Sequence, residues 1–227
     1  MPLEYDEVVP WGRNYAEYVE MFRLSPEDLD KKIIGCGDGP ASFNFEMKTN
    51  GKTIVSVDPL YQFTKEQIRS RIRETCDIVV AKTRENGDKF LWNKIKSVDE
   101  LKSIRMAAMN VFLDDYQNGT DEGRYVNGEL PELPFGDKQF DIALCSHLLF
   151  LYSYILDYSF HTDAIDEMLR VAGEIRVFPL LDSNAERSEY ADRLIKYYRT
   201  KGYEADEVIV DYEFQKNGNT LLIIKNH

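Results

Sequence analysis

Two short stretches of the chain hold residues whose types and spacing suit the binding of a nucleotide-like ligand. The first is Ile33–Ala41, where an apolar segment runs into glycines at every second position, Gly35, Gly37 and Gly39. Glycine permits the tight backbone of such a turn and the close approach of main chain to ligand. The second is Thr53–Asp58, another apolar segment, which ends in an acid 19 residues after Gly39. An acid at about that distance binds a ribose diol in nucleotide-binding βαβ units.

The glycine turn itself leaves the ligand open. We expect a helix to begin at Pro40, because proline fits the first helical position, where an amide would lack an intrahelical partner. Such a turn presents backbone N–H groups and a helix N-terminus to one point, which favours a negatively charged or strongly hydrogen-bonding ligand. The dinucleotide fingerprint G-x-G-x-x-G has its third glycine where this chain has Pro40, so the spacing here is G-x-G-x-G.

Composition and charge exclude several classes of protein. The chain has 227 residues, 43% hydrophobic, with a net charge of −12 and no basic run of five, so we expect no nucleic acid and no anionic membrane as partner. Three scattered cysteines without metal-type spacing indicate a reducing compartment and predict no metal site. No signal peptide and no apolar run of membrane-spanning length is present, so we expect a cytoplasmic protein. Nothing in the sequence specifies an oligomeric state.

Alternating strand and helix patterns predict one α/β domain over residues 1–227. Residues 14–24 predict an amphipathic helix before the first strand. Capping-box patterns at Thr64 and Ser97 predict a long helical stretch over 64–118. The remaining predicted elements are a strand over 124–130, a helix over 162–171, a strand over 174–181, a helix over 186–201, and strands over 207–214 and 220–224 joined by a hairpin turn at Asn217–Gly218–Asn219.

A third stretch decides between the ligand classes. Glu129–Leu130 follows the third predicted strand, Leu133–Pro134–Phe135 comes next, and Phe140–Asp141 opens a strand that ends in Ser146–His147. With the glycine turn and Asp58, these motifs in this order resemble the class I S-adenosylmethionine (SAM)-dependent methyltransferases over about residues 12–225.

The resemblance implies a fold as well as an activity. The expected fold is a three-layer α/β sandwich with a mostly parallel seven-stranded sheet, a C-terminal antiparallel hairpin, and a helical insertion between the second and third strands. Residues 64–118 form that insertion, which we expect to act as a lid or substrate wall because long connections in compact domains are usually functional. The sequence departs from the family at Ile33, where an acid is usual, and at Ala172–Gly173, where the usual glycine-rich turn is short.

The resemblance also implies roles for individual residues. Eight positions would bind SAM, or the product S-adenosylhomocysteine (SAH): Gly35, Cys36, Gly37, Asp58, Pro59, Glu129, Leu130 and Ser146. His147 is the candidate general base, because histidine titrates near neutral pH, although it could equally cap the strand end. Tyr15 and Tyr152 are candidate substrate contacts, or else core aromatics. Arg13 is a further candidate to cover the ligand.

The acceptor is constrained chiefly by absences. The Asn/Asp-Pro-Pro-Tyr turn of enzymes that methylate nucleic-acid bases is missing, since Cys145–Leu148 stands there, so we expect a small-molecule acceptor. Two alternatives remain. One is a protein of this fold that binds SAM or a nucleotide without transferring a methyl group, because fold does not prove activity. The other is a nicotinamide-dependent oxidoreductase, which Pro40 and the terminal hairpin disfavour.

Overall fold

The computed structural model describes residues 7–226, and within them a seven-stranded sheet forms the centre of the molecule. The strands are β1 (Ile33–Cys36), β2 (Ile54–Val57), β3 (Tyr125–Val126), β4 (Phe140–Ser146), β5 (Ala172–Phe178), β6 (Glu204–Ile209) and β7 (Thr220–Lys225). The α-helices are α1 (Tyr15–Met21), α2 (Phe43–Thr49), α3 (Lys65–Glu85), α4 (Val98–Asp121), α5 (Tyr158–Val171) and α6 (Ala191–Thr200).

The strand order is β3-β2-β1-β4-β5-β7-β6, with β7 antiparallel to both of its neighbours and every other pairing parallel. This arrangement confirms the predicted fold class, including the C-terminal antiparallel pair and the helical insertion after β2. Because β1 to β5 run the same way, their carboxyl ends share one edge of the sheet. The glycine turn, Asp58 and Ser146–His147 all follow strand ends at that edge.

Alternate strand residues pack on opposite faces of the sheet, as the two-residue period of a strand requires. Ile34 and Cys36 of β1 belong to a core cluster with residues of α5 and α6. Ile33 belongs to a second cluster with residues of α1 and α2, including Met21 and Phe43. The sheet is therefore the middle layer of three.

The helical insertion consists of two long helices that pack on one another. Thr64 and Ser97 cap α3 and α4 as their capping patterns predict, each accepting a hydrogen bond from the amide three residues on. The pair has its own core cluster, which includes Ile68 of α3 and Met109 and Phe112 of α4. The second helix ends at Asp121, three residues beyond the predicted insertion.

Several predicted boundaries are wrong; the helices predicted over 162–171 and 186–201, for example, begin at Tyr158 and Ala191. The helix after the glycine turn begins at Phe43 rather than at Pro40, because residues 37–42 form an irregular loop in which the Ser42 amide bonds to the Arg13 carbonyl. The third strand is confined to Tyr125–Val126.

The last predicted pair of strands is also different. The sixth strand is Glu204–Ile209, and its last residue already pairs with Thr220, so residues 210–219 form a long loop instead of a tight hairpin. Within that loop Tyr212 is buried against α1 and α4. Because of this packing, residues 210–219 do not continue the hydrogen-bonded ladder between the two last strands.

No helix within residues 7–226 is both long enough and apolar enough to cross a membrane.

Candidate functional site

A cavity of about 840 Å³ opens at the edge where the parallel strands end. Four parts of the chain line it. They are the N-terminal segment over 7–13, the loops after the strands (among them Gly37, Asp58, Glu129, Ser146 and Pro179), one side of α3 and α4, and the β6–β7 loop with Tyr212, Phe214 and Gln215. We call the part next to the glycine turn the cofactor end, after the ligand that the sequence analysis expects there. The part between Arg13, Arg105, Ser183 and Tyr212 is called the acceptor end, after the second ligand that the sequence analysis expects.

The glycine turn is organised around Asp38, which the sequence analysis did not single out. Its carboxylate accepts hydrogen bonds from the Tyr18 hydroxyl at 2.9 Å and from Ser56 Oγ at 2.6 Å. Burial raises the pKa of Asp38 to about 6, and the charge of Asp58 adds to this rise. A Cβ at Gly35 would lie 1.9 Å from Asp38 Oδ2, so this glycine makes room for a buried carboxylate. In the family that the motifs resemble, an acid is usual at the position that Ile33 occupies here. This chain lacks that acid, and Asp38 instead provides a buried acid within the glycine turn.

The turn does not form the anion cradle that its glycines suggested. The Gly37 amide already donates to the Val57 carbonyl at 2.8 Å, and the Gly39 amide donates to Asp58 Oδ2 at 2.8 Å. The following helix starts too late to aim its N-terminus at the same point. Gly37 lines the cavity, whereas Gly35 and the fully buried Cys36 are not among the lining residues. What the turn offers a ligand is therefore a close backbone surface and carboxylate oxygens.

Asp58 lies at the cofactor end with Pro59, Glu129 and Leu130, all four lining the cavity. Asp58 Oδ1 accepts from the Leu60 amide at 2.7 Å, so each carboxylate oxygen holds one backbone amide and retains a lone pair for a ligand hydroxyl. Burial, together with the neighbouring charge of Glu129, raises the pKa of Asp58 to about 6. The structure thus brings these four predicted residues together in one cavity.

Ser146 and His147 stand where β4 ends, between the two ends of the cavity. His147 has a φ of +52°, a conformation that is uncommon outside glycine, and its amide donates to the Phe178 carbonyl at 2.7 Å. The ring lies edge-on to Phe178, and its Nδ1 is 2.9 Å from Ser146 Oγ. Burial lowers the pKa of His147 well below its usual value, and the charges of Arg13 and Arg105 lower it further. The imidazole is therefore neutral near pH 7.

The acceptor end contains a group of buried charges that the sequence analysis largely missed. Arg105 of α4 is 1% exposed, and its Nη1 lies 2.6 Å from Glu17 Oε2. The Tyr212 hydroxyl donates to Glu17 Oε1 at 3.1 Å, which ties the β6–β7 loop to α1 and α4. Arg105 falls on the stripe Leu101, Arg105, Ala108, Phe112, so a charge on an apolar helix face was the available signal.

The two candidate substrate tyrosines differ. Tyr152 lines the cavity, and its hydroxyl accepts a hydrogen bond from the Val9 amide at 3.1 Å, so it holds the N-terminal segment in place. Tyr15 packs against Phe43 at 5.6 Å between ring centroids and is not among the lining residues, because α1 turns its first residue towards α2. No cluster of three or more potential metal ligands occurs within residues 7–226.

Comparison with known proteins gives one close relative of unknown activity. No family model matches the chain. The chain is 37% identical over 224 residues to the uncharacterized protein MJ0045 of Methanocaldococcus jannaschii, covering 98% of each sequence. The chain belongs to the MJ0045 family.

Several solved structures resemble the fold more distantly. A TehB-like SAM-dependent methyltransferase from Corynebacterium glutamicum is similar over 93% of this chain and 87% of that chain, with a TM-score of 0.48 and 13% identity. Magnesium protoporphyrin IX methyltransferase from Synechocystis with bound SAM covers 86% of this chain and 69% of its own, with a TM-score of 0.45 and 10% identity. A putative RNA methyltransferase from Pyrococcus horikoshii covers 93% of this chain and 85% of its own, with a TM-score of 0.45 and 10% identity. At these values neither an activity nor an acceptor passes from those proteins to the MJ0045 family.

Proposed function

We propose that this protein is a SAM-dependent methyltransferase that acts on a small-molecule acceptor. The observation that carries the proposal is the character of the cofactor end. Three carboxylates, those of Asp38, Asp58 and Glu129, line the same part of the cavity, and the two glycine-turn amides at Gly37 and Gly39 are already bonded within the protein.

That combination discriminates between nucleotide-like ligands. A diphosphate needs free amides or cations, and this end of the cavity has neighbouring carboxylates instead. Their mutual repulsion contributes to the raised pKa values, since the charge of Asp58 raises the pKa of buried Asp38 and the charge of Glu129 raises the pKa of half-buried Asp58. A ligand with a ribose diol and a positive charge fits the same surface, because its hydroxyls can donate to Asp58 and its charge is attracted by the acids. SAM has both features and no phosphate. NAD⁺ also has ribose diols, but its diphosphate would place negative charge beside these acids.

The position of His147 suits proton removal from an acceptor. Bound SAM would supply an electrophilic sulfonium methyl group that an acceptor nucleophile displaces in line, leaving SAH. The tautomer that donates from Nδ1 to Ser146 Oγ leaves the Nε2 lone pair for an acceptor proton. The low pKa of His147 keeps that lone pair available at neutral pH. The main contribution of the protein is then to position the acceptor and to exclude water.

Calorimetric titration with SAM, SAH and NAD⁺ tests the cofactor. We expect SAM and SAH to bind and NAD⁺ not to bind. Removal of the diol acceptor in Asp58→Ala should weaken SAH binding about 100-fold, since hydrogen bonds to a charged group contribute about 1.5–3 kcal/mol each. Asp163→Ala is the matched control, because Asp163 is an exposed acid on α5 that does not line the cavity. Binding of NAD⁺ in place of SAH, or equal affinity in both variants, would contradict the proposal.

Binding alone does not establish transfer. Incubation with SAM labelled in its methyl group, against a panel of small-molecule acceptors, should give labelled product with the wild-type protein and a strongly reduced yield with Asp58→Ala. A protein that binds SAH tightly and labels no acceptor in the panel would support the alternative of a SAM-binding protein without methyl-transfer activity.

A further inference from the structure

The acceptor end contains polar atoms that have no partner in the described part of the chain. Within residues 7–226, the buried side-chain nitrogen and oxygen atoms without a hydrogen-bond partner are Arg13 Nε, Arg105 Nε and Ser183 Oγ. All three residues line the cavity at the carboxyl edge of the sheet. Because an unpartnered buried polar atom is costly and uncommon, three of them around one space indicate that a ligand supplies the missing bonds.

The charged groups at the acceptor end indicate the sign of the charge that the ligand carries. Arg105 is paired with Glu17, so these two charges balance. For Arg13, no carboxylate among residues 7–226 lies within ion-pair distance, and its one side-chain hydrogen bond there runs from Nη1 to the Trp11 carbonyl at 3.3 Å. Burial lowers the pKa of the Arg13 guanidinium, and the charge of Arg105 lowers it further. The acceptor end therefore carries an uncompensated positive charge in a protein whose net charge is −12.

The rest of the acceptor end is apolar and aromatic. Phe214 stacks on Phe90 at 4.9 Å between ring centroids, and both line the cavity with Leu101 and Pro179. Main-chain hydrogen bonds from Leu91 to Phe214 and from Lys216 to Lys89 join the β6–β7 loop to the segment before α4. A ligand that fits has an anionic group at the arginines and a flat apolar body against these rings.

The region around the two arginines and the cofactor end carry charges of opposite sign. Arg105 donates to the Tyr212 hydroxyl at 3.4 Å, and the rings of Tyr212 and His147 both contact the ring of Phe178 edge-on. An anion at the arginines therefore lies on the side of the cavity where His147 is, and the charges of Arg13 and Arg105 lower the pKa of His147. The carboxylates of Asp38 and Asp58 would repel an anion placed beside the glycine turn.

We propose that Arg13, with Arg105 and Ser183, binds the anionic group, a carboxylate or a phosphate, of an aromatic or otherwise apolar methyl acceptor. This inference rests on the proposed function and narrows the acceptor to acids. The guanidinium groups orient the acceptor by its anionic end, and this presents a nucleophilic atom of its apolar body to the neighbourhood of His147.

Benzoate and benzyl alcohol are suitable probes, because they share the ring and differ in charge. Each is titrated into protein saturated with SAH, and binding is measured by calorimetry or ligand-observed NMR. We expect benzoate to bind more tightly than benzyl alcohol by roughly 10-fold, the effect of a charge-assisted hydrogen-bonded pair. Arg13→Gln should abolish the preference for benzoate over benzyl alcohol. Ser183→Ala should weaken the binding of benzoate by a few-fold.

Arg71→Gln is the matched control. Arg71 also lines the cavity, but Glu7 already pairs with it, so its removal should leave the benzoate preference unchanged. The double variant Arg105→Gln with Glu17→Gln replaces the buried ion pair by a neutral pair of similar size. It should retain the fold and weaken benzoate, and the melting temperature of each variant checks folding independently of binding.

The anion could instead be the carboxylate of the cofactor itself, and the titrations separate the two sources. In that case Arg13→Gln would weaken SAH but leave 5′-methylthioadenosine, which lacks the amino-acid portion, unchanged, and benzoate would not bind to SAH-loaded protein. That result overturns the proposal, as does benzoate binding that is equal in wild type and Arg13→Gln. If SAH does not bind at all, the proposed function fails, whereas Arg13-dependent benzoate binding to the free protein would still support the anion site.

Discussion

The two ends of the cavity are built in different ways and carry opposite charge. The cofactor end is formed by the glycine turn and by loops that directly follow β2, β3 and β4, and its charged groups are the carboxylates Asp38, Asp58 and Glu129. The acceptor end is formed by the N-terminal segment, α4 and the β6–β7 loop, and its excess charge is that of Arg13.

In the proposed function, this difference in charge assigns the two ligands to different parts of one cavity. The acids attract a cation and accept hydrogen bonds from a diol, whereas the arginines attract an acid, so each ligand is repelled from the other's position. The neutral His147 lies at the junction, near enough to the arginines for their charges to lower its pKa.

The largest expected effect is at the junction. His147→Gln removes the proposed base while keeping a side chain that can hydrogen-bond to Ser146. We expect kcat to fall about 100-fold, the lower range for loss of general acid–base catalysis, with SAH affinity within about 2-fold of wild type. Steady-state kinetics on an identified acceptor and calorimetry with SAH give the two numbers. Unchanged kcat would assign His147 to capping the strand end.

The second effect concerns pH and belongs to the cofactor end. Asp58 has a pKa of about 6 without ligand, and a diol is bound by its ionised form, so SAH affinity is lost as the pH falls through 6. Between pH 7.5 and pH 5 we expect SAH affinity to fall about 10-fold, as protonation of one group with that pKa dictates. Calorimetry across this range measures it, and Asp58→Asn should flatten the profile.

The carboxyl groups of Asp38 and Asp58 also affect how the stability of the fold depends on pH. The pKa values of Asp38 and Asp58 are both raised to about 6 in the folded protein, so the folded state binds more protons than the unfolded state between about pH 4 and 6. These two groups therefore make the protein more stable, not less, as the pH falls through that window. An SAH affinity that is constant from pH 7.5 to 5 would contradict the assigned role of Asp58.

A smaller effect is expected from the aromatic contact that closes the acceptor end. Phe214→Ala removes the stack on Phe90 and the edge contact with Trp92 at 5.4 Å. Loss of one or two such pairs should lower kcat/KM for the acceptor roughly 5-fold, since each contributes about 0.5–1.5 kcal/mol, and should leave SAH affinity unchanged. Equal loss at both ends would mean that the β6–β7 loop supports the whole cavity and does not act as a wall for the acceptor.

The smallest effect is expected at the N-terminal segment over residues 7–13, which lines the cavity. Tyr152→Phe removes the hydroxyl that accepts from the Val9 amide and should lower the free energy of unfolding by about 1 kcal/mol. Chemical denaturation measures this change. Tyr154→Phe, on the neighbouring ring, is the comparison variant. A change in SAH affinity larger than the change in acceptor KM would show that the segment over 7–13 covers the cofactor end.

The proposal that residues 64–118 form a lid needs a gentler test than deletion. Removing 88–118 would take away most of α4, whose Met109 and Phe112 are fully buried in the core of the insertion. Loss of function in such a truncation would report unfolding. Substitutions at Phe90 and Phe214 change the wall of the same cavity and leave the core of the insertion intact.

Local sequence patterns determined the fold class and the cofactor end of this protein. Strand periodicity, the glycine turn and the acids after the strands are short-range signals, and parallel strands necessarily collect their carboxyl ends at one edge. Asp58, Glu129 and Ser146 could therefore be brought together from the sequence alone. The same signals misplaced the start of α2, because the hydrogen bonds that hold the loop over 37–42 come partly from Arg13, far from the turn in sequence.

The tertiary structure alone decided the acceptor end. Arg13, Arg105, Ser183 and Tyr212 lie far apart along the chain, and no spacing rule relates them. Their proximity follows from how α1, α4 and the β6–β7 loop pack over the sheet, which depends on the buried pair of Arg105 and Glu17 and its bond to Tyr212. Short-range patterns specify which elements form and where the strands end. Contacts between distant segments determine which charged side chains are brought close together and which of them remain without a partner of opposite charge.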